Sequence, residues 1–120
     1  MNTQPVIDHI VEWLNAYLDR SKLEGFVVGV SGGIDSAVTS TLCARTGAAV
    51  KVLNMPIYQA PDQLSRASRH IRWLEQGHAT VEGLTVDLTP AFDSIQDTFP
   101  KAIQDGLSMA NSRSRLRMLT

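Results

Sequence analysis

Apolar residues follow two patterns along the chain. One is a period of three to four residues, typical of helices, and the other is a short continuous run, typical of buried strands. Over residues 5–20 they return every three or four positions, which predicts an amphipathic helix. A continuous apolar run at residues 26–30, bounded by glycines, predicts a central strand buried on both faces. After the next loop the helical spacing resumes and ends at Gly47, because glycine readily adopts the left-handed conformation found at helix ends.

The rest of the chain continues this alternation. Residues 49–55 predict a strand, residues 61–77 a helix and residues 80–88 a third strand. Residues 91–120 predict two helical pieces separated by Pro100. Alternating strands and helices indicate the α/β class with a doubly wound parallel sheet. Three strands make a thin sheet for this architecture, so we expect one domain that lacks its C-terminal half.

Composition and charge exclude several classes of protein. The 11 Lys and Arg residues balance 12 Asp and Glu residues without a charged block, so no broad attraction to nucleic acid is expected. The single cysteine, Cys43, is predicted to be a small buried side chain rather than a nucleophile. No apolar run approaches the roughly 20 residues that cross a bilayer, and no secretory signal is visible, so we expect a cytoplasmic protein without membrane partners.

The segment Ser31-Gly32-Gly33-Ile34-Asp35-Ser36 carries the strongest chemical signal. Its glycines let backbone amides approach a ligand, the following helix start adds unpaired N–H groups, and the serines add hydroxyl donors. This combination predicts a pyrophosphate site. Asp35 would repel a bound phosphate unless a divalent cation lay between them, which predicts Mg²⁺ at Asp35.

A purely structural explanation exists for the same segment. Gly32 and Gly33 can form a tight turn, and Asp35 can cap the following helix. The complete string directly after a buried strand is more specific than a Gly-Gly turn and favours function. It matches neither the P-loop nor the dinucleotide fingerprint, because no Gly-Lys-Ser/Thr follows and no Gly-x-Gly-x-x-Gly is present, so a different nucleotide chemistry is indicated.

The string resembles the pyrophosphate loop of the N-type ATP pyrophosphatases, which adenylate a substrate oxygen and release pyrophosphate. Within that group, Leu53-Asn54-Met55-Pro56 resembles the strand end that receives adenine in NAD synthetases. The string at residues 110–118, Ala-Asn-Ser-Arg-Ser-Arg-Leu-Arg-Met, resembles their substrate-binding helix. The resemblance covers nearly the whole chain, and it implies a Rossmann-like fold of the adenine nucleotide alpha hydrolase type.

The resemblance also implies a reaction and its partners. ATP and deamido-NAD would form an NAD-adenylate and pyrophosphate, and ammonia would then displace AMP to leave the amide. Free ammonia is the expected nitrogen source, because no glutaminase domain precedes the first helix. The family pattern implies a homodimer whose substrate site crosses the interface. It requires no covalent enzyme intermediate, so we assign no catalytic side chain with certainty.

Candidate ligand contacts follow from the same resemblance. Those for ATP are Gly29, Val30, Ser31, Gly32, Gly33, Ile34, Asp35, Ser36, Leu53 and Met55. Those for deamido-NAD are Asn111, Arg115 and Arg117, with Arg115 as first choice. Helical spacing places Asn111 and Arg115 on one face and Arg113 and Arg117 on another, about 200° away. Arg113 and Arg117 are also consistent with a solvated face or with salt bridges.

Two alternative functions stand beside this one. The chain is also compatible with another ATP pyrophosphatase, such as a GMP synthetase-like or tRNA-modifying enzyme, and with a nucleotide-binding module that has lost catalysis. The histidines His9, His70 and His78 show no metal-ligand spacing and are expected to be surface or helix-packing residues. Trp13 and Trp73 are expected in the core or at an interface.

Overall fold

The computed structural model describes residues 2–120, apart from the side chain of residue 107, as alternating helices and strands. The elements are α1 (Thr3–Ser21), β1 (Gly25–Gly29), α2 (Ile34–Arg45), β2 (Ala49–Asn54), α3 (Pro61–Gly77), β3 (Val81–Thr85), α4 (Thr89–Thr98), a 3-10 turn (Lys101–Ile103) and α5 (Gly106–Leu119). The predicted order of elements is confirmed. β3 is shorter than predicted, and Gly47 has the expected left-handed conformation, with φ of 77°.

The described strands form one parallel sheet in the order β1-β2-β3. Val28 of β1 lies opposite Val52 of β2, and the crossover helices α2 and α3 pack against the face that these valines share. Ile71 and Leu74 of α3 complete this core. The parallel sheet flanked by helices confirms the predicted Rossmann-like α/β class.

The position of β1 differs from the prediction. β2 is the central strand of the described sheet, and β1 lies at its edge. Val27 points away from α2 and α3 and is 69% exposed, beside an exposed Lys51–Glu82 ion pair of 2.7 Å. The prediction was wrong because a continuous apolar run indicates burial on both faces, whereas the described helices α2 and α3 cover one face here.

A second, smaller cluster lies beyond the carboxyl ends of the strands. Ile57, Leu88, Phe92 and Met109 are buried together, and they join the segment after β2 to α4 and α5. The Arg113 guanidinium lies over the Phe92 ring, 5.7 Å from its centroid. This cluster holds α5 above the sheet edge where the predicted pyrophosphate loop lies.

The tryptophans and the cysteine differ in how well they were predicted. Cys43 is buried, as expected, and burial raises the pKa of its thiol. Trp13 and Trp73 are both more than half exposed, so a core position for them is wrong. Each stacks on one ring of its own helix, Trp13 on Tyr17 at 5.4 Å and Trp73 on His70 at 5.8 Å.

None of the helices described in residues 2–120 is both long and apolar enough to span a bilayer.

Candidate nucleotide-binding site

The loop between β1 and α2 lies at the carboxyl edge of the sheet, where ligands of parallel α/β proteins bind. The Val30 N–H donates to the Leu53 carbonyl at 2.8 Å, which extends the strand pairing to the start of the loop. Gly32 then turns the chain with φ of 89°, in the region that favours glycine. Gly33 is the N-cap of α2 and no side chain caps this helix, so the alternative that Asp35 is the cap is wrong.

Two serine hydroxyls brace the loop from within. Ser36 Oγ accepts from the Ser31 N–H at 3.1 Å and lies 3.3 Å from Ser31 Oγ. Ser31 Oγ accepts from the Gly33 N–H at 3.3 Å. The first intrahelical bond of α2 runs from the Ala37 N–H to the Gly33 carbonyl, so the preceding amides of the first turn are available to an anion.

A cavity of about 380 Å³ opens beside the loop, within the size range of small-molecule sites. It is lined by the loop, the end of β2 and the last turns of α5: Gly29, Val30, Ser31, Ser36, Asn54, Met55, Gln59, Ser114, Arg117 and Met118. The fold therefore brings three stretches that the sequence analysis treated separately to one place.

Six of the predicted contacts line this cavity. They are Gly29, Val30, Ser31, Ser36, Met55 and Arg117. Gly32, Gly33 and Ile34 line a second hollow of about 340 Å³ on the other side of the loop. Leu53 is buried and is not among the residues that line either hollow, although its carbonyl pairs with Val30.

Asp35, the predicted Mg²⁺ ligand, is exposed in the first turn of α2. Among the described residues, no three His, Cys, Asp or Glu side chains gather closely enough to hold a metal ion by themselves. An exposed carboxylate next to free amides fits a cation that takes its other ligands from phosphate oxygens and water, which is the usual ligation of Mg²⁺.

Arg117 joins α5 to the segment after β2. Its Nε donates to the Met55 carbonyl and one terminal nitrogen donates to Gln59 Oε1, both at 3.0 Å. Burial, and then the charge of Arg113, lower the pKa of the Arg117 guanidinium. The idea that Arg113 and Arg117 form a solvated face is wrong, because both are partly buried and packed against the protein.

The predicted division of α5 into two faces is confirmed. Arg113 and Arg117 face the protein, whereas Asn111 and Arg115 are exposed. Neither Asn111 nor Arg115 is among the residues that line the cavity, so their contact with deamido-NAD stays a prediction.

Several lining residues were missed by sequence reasoning. Asn54 lies inside the string that resembles an adenine-binding strand end, which is the one signal that pointed towards it. Gln59, Ser114 and Met118 also line the cavity. Gln59 carried no local signal, because it acquires its role through a bond to a residue 58 positions away.

Helix α3 supports the loop from the other side. Arg66 Nε donates to the Gly32 carbonyl at 3.2 Å. Further along, His70 Nε2 lies 2.9 Å from Ser40 Oγ, and the fully buried Ser40 hydroxyl also lies 2.7 Å from the Ser36 carbonyl. Because a hydroxyl has one proton and the Ser36 carbonyl can only accept it, we assign the His70 Nε2 as an N–H donor. The expected helix-packing role of His70 is confirmed.

His70 gives a prediction for the dependence of stability on pH. Burial lowers the pKa of His70, and a hydrogen bond to the Ala37 backbone partly offsets this. At a pH between the folded-state and unfolded-state pKa values of His70, the unfolded chain binds more protons than the folded chain. The free energy of unfolding therefore falls as the pH drops from about 6.5 through the lower pKa of the folded state. Thermal unfolding at pH 7.5 and 5.5 should show a larger loss for the wild type than for His70→Gln. An equal loss in both would show that His70 does not contribute.

The family model described as NAD synthase matches residues 6–120. An NH(3)-dependent NAD(+) synthetase of Mannheimia succiniciproducens is 30% identical and aligns with 99% of this chain and 48% of its own length. The corresponding protein of Finegoldia magna is 32% identical over 100% of this chain and 48% of its own length.

Solved structures with a similar fold include an NMN synthetase and an NAD synthetase. The NMN synthetase of Francisella tularensis superposes with a TM-score of 0.88 at 28% identity, over 99% of this chain and 48% of that one. The NH3-dependent NAD synthetase of Campylobacter jejuni, in complex with nitrate, gives 0.85 at 26% identity, over 98% and 49%. The chain thus spans about half the length of the proteins it matches. With the family model matching nearly all of its length, the chain belongs to the NAD synthase family.

Proposed function

We propose that this chain is part of an ammonia-dependent NAD synthetase, which amidates deamido-NAD at the expense of ATP. The observation that carries the proposal is the cavity that unites the Ser31–Ser36 loop, the end of β2 and the last turns of α5. The names of the similar proteins support this reading, because they are NH(3)-dependent NAD(+) synthetases.

The reaction has two steps. A carboxylate oxygen of deamido-NAD attacks the α-phosphorus of ATP, the bond to the bridging oxygen breaks, and pyrophosphate leaves. Ammonia then attacks the activated carbonyl carbon, AMP departs and a proton is lost, which leaves the amide of NAD. The first step depends on holding two large anionic substrates in line, and the second on holding the adenylate in position for attack by ammonia, so positioning and charge neutralisation are the main tasks of the protein.

The residues of the loop suit the first step. The unpaired amides at the start of α2 and the positive end of its dipole would stabilise the negative charge that builds up on the leaving pyrophosphate. The hydroxyls of Ser31 and Ser36 line the cavity and would exchange their mutual contacts for phosphate oxygens. Asp35 would hold Mg²⁺, whose charge would neutralise the phosphates when it is bound.

Helix α5 would supply the contacts for deamido-NAD. Arg117 uses two of the five N–H donors of a guanidinium in its bonds to Met55 and Gln59, so it can also reach a ligand in the cavity. Asn111 and Arg115 lie on the exposed face of the helix. A dinucleotide is long enough to pass beyond the cavity, and we propose that a second subunit completes the site on that face.

Arg115 provides a test of this assignment. Arg115→Ala should weaken the binding of deamido-NAD by about 1.5–3 kcal/mol, the usual cost of losing a hydrogen bond to a charged group, and leave ATP binding nearly unchanged. Equilibrium binding of each ligand alone would measure both effects. Arg117→Ala is the matched comparison on the other face, and it should weaken ATP binding as well, because Met55 and Gln59 lose their anchor. Equal losses for both ligands in Arg115→Ala would contradict the assignment.

The function itself is tested with the natural polypeptide that contains these residues. Incubation with ATP, deamido-NAD and ammonium should yield NAD, AMP and pyrophosphate in equal amounts, and glutamine should not replace ammonium. Release of AMP without NAD, or efficient use of glutamine, would overturn the proposal. Binding of ATP without turnover under any of these conditions would favour a nucleotide-binding module.

A second candidate follows from the similarity to the Francisella protein, which is named an NMN synthetase. The corresponding activity would be amidation of nicotinate mononucleotide. A comparison of kcat/KM for the mononucleotide and for deamido-NAD distinguishes the two functions. We expect deamido-NAD to be preferred, in line with the names of the Mannheimia and Finegoldia relatives.

A further inference from the structure

The peptide group between Gly32 and Gly33 is held from both sides. Its carbonyl accepts from Arg66 Nε at 3.2 Å, and its N–H donates to Ser31 Oγ at 3.3 Å. Because the C=O and N–H of a trans peptide point in opposite directions, these two bonds fix the direction of the group. The first-turn amides of α2 follow directly, before the first bond of that helix, from the Ala37 N–H to the Gly33 carbonyl. Turning the peptide would therefore aim those amides elsewhere.

Arg66 reaches the loop from helix α3, whose position is fixed by the core. Ile71 and Leu74, further along the same helix, are buried in the larger apolar cluster. The backbone of α3 also comes close to the loop, because a Cβ at Gly32 would lie 2.7 Å from the Gln63 carbonyl oxygen. Arg66 thus joins the loop to an element that is anchored independently of it.

The bond to Gly32 is the shorter of the two hydrogen bonds that the Arg66 guanidinium makes within the described residues. The other, with Asp62 Oδ2, is 3.5 Å long and exposed, so it contributes little. Arg66 lines the second hollow, on the other side of the loop, and is not among the residues that line the larger cavity. It can therefore act on a ligand in that cavity only through the loop or through its charge at a distance.

We propose that Arg66 is a positioning residue for the phosphate site, because its bond to the Gly32 carbonyl keeps the loop amides directed at one place. The inference rests on the proposed function, which places the phosphates of ATP at the loop, and adds a residue from outside the Ser31–Ser36 string on which their binding depends. Amides bind an anion together only while they converge, so loss of this bond lowers the affinity for phosphate more than the stability of the fold.

Two substitutions separate the hydrogen bond from the charge. The amide nitrogen of glutamine lies as many bonds from Cα as the Nε of arginine, so Arg66→Gln keeps a donor at that point and removes the positive charge. Arg66→Leu is similar in size to Arg66→Gln and has no donor.

Arg66→Leu should weaken the binding of ATP and of inorganic pyrophosphate about tenfold. This is the lower end of the range for a hydrogen bond from a charged group, because the Arg66 side chain is 49% exposed. Arg66→Gln should bind both ligands within about threefold of the wild type, because its amide still donates a hydrogen bond. Equilibrium binding to the natural polypeptide and its variants measures these effects, and thermal unfolding checks the fold.

Arg69→Leu is the matched control. Arg69 lies on the same helix, and its Nε also donates to a backbone carbonyl, at 3.3 Å, but that carbonyl belongs to Ser65 of α3. Arg69→Leu removes the same charge and should keep the wild-type affinity for both ligands. If Arg66→Leu does not fold, the comparison of Arg66→Ala with Arg66→Gln replaces it.

The outcomes separate this inference from the proposed function. Equal losses of affinity in Arg66→Gln and Arg66→Leu, an equal loss in Arg69→Leu, or wild-type affinity in Arg66→Leu would each overturn the positioning role. Any of these results in a protein that makes NAD would contradict this inference alone. A loss in Arg66→Leu that Arg66→Gln restores, in a protein that makes no NAD, would support the inference and contradict the synthetase function. A wild type that binds neither ATP nor pyrophosphate would overturn both.

Discussion

Replacing Asp35 by asparagine is expected to lower the rate of adenylation by about 100-fold or more, comparable to losing one electrostatic contact in a transition state. The carboxylate is exposed beside the free amides of α2, where it repels a phosphate unless a cation lies between them. Loss of its charge should therefore leave ATP binding without Mg²⁺ unchanged or tighter, and reduce the dependence of the rate on Mg²⁺. Pyrophosphate release across a Mg²⁺ titration measures both effects.

The fold should survive this substitution. Gly33, not Asp35, is the N-cap of α2, so no capping bond is lost and the change in helix-dipole energy is about 0.3–1 kcal/mol. Asp62→Asn is the matched control, because Asp62 also occupies the second position of its helix, α3. Its pair with Arg66 is long, at 3.5 Å, and exposed, so little is lost there. Wild-type rate and Mg²⁺ dependence in Asp35→Asn would withdraw the metal assignment.

Gly32→Ala should reduce ATP affinity by about 100-fold, the scale expected when one or two hydrogen bonds to a charged group are lost. A Cβ at Gly32 would lie 2.7 Å from the Gln63 carbonyl oxygen, a backbone atom of α3, so the loop has to move away from the helix. That movement also breaks the bond between the Gly32 carbonyl and Arg66. The amides of the loop can bind a phosphate together only while they point at the same place. Movement of the loop should therefore affect phosphate binding more than the stability of the fold.

Gly47→Ala is a control that the chain itself provides. Gly47 has a similar positive φ, 77° against 89°, but a Cβ there would meet no atom within 4 Å. Both variants should lose about 1–2 kcal/mol of stability, because alanine replaces glycine in a left-handed backbone conformation. The differences in stability and in ATP affinity between Gly32→Ala and Gly47→Ala therefore report the effect of the clash with α3. Chemical denaturation measures the first difference, and equilibrium binding of ATP measures the second. Equal ATP affinity in the two variants would show that contact with α3 does not position the loop.

The sequence predicts the bounds of individual helices and strands better than it predicts what packs against them. The bounds of α3 agree with the structure because Pro61 and Gly77 mark its ends and the apolar residues keep a helical period between them. The place of β1 at an edge was missed, because an apolar run such as the one around Val27 indicates burial but not what covers the strand.

In the candidate site too, the features formed by adjacent residues were predicted, and the contacts between distant segments were not. The Ser31–Ser36 loop is recognisable because its residues are adjacent in sequence. The contact of Arg117 with Gln59 joins residues 58 positions apart and depends on how α5 packs, which no local pattern records. Tyr58, which precedes Gln59, has φ of 50°, a conformation that few non-glycine residues adopt and that its sequence gave no reason to expect. Sequence reasoning therefore found the side of the cavity that the Ser31–Ser36 loop forms and missed most of its opposite wall.

The separation of the two apolar clusters has a consequence for hydrogen exchange. Leu74 and its neighbours hold the sheet with α2 and α3, whereas Phe92 and Met109 belong to the smaller cluster under α4 and α5. Helix α5 can therefore open without disrupting the larger cluster, and its amide hydrogens should exchange with solvent faster than those of β2. Since Arg117 links α5 to the cavity, nucleotide should slow exchange along α5 as well as in the loop, so one wall becomes rigid only when the cavity is filled.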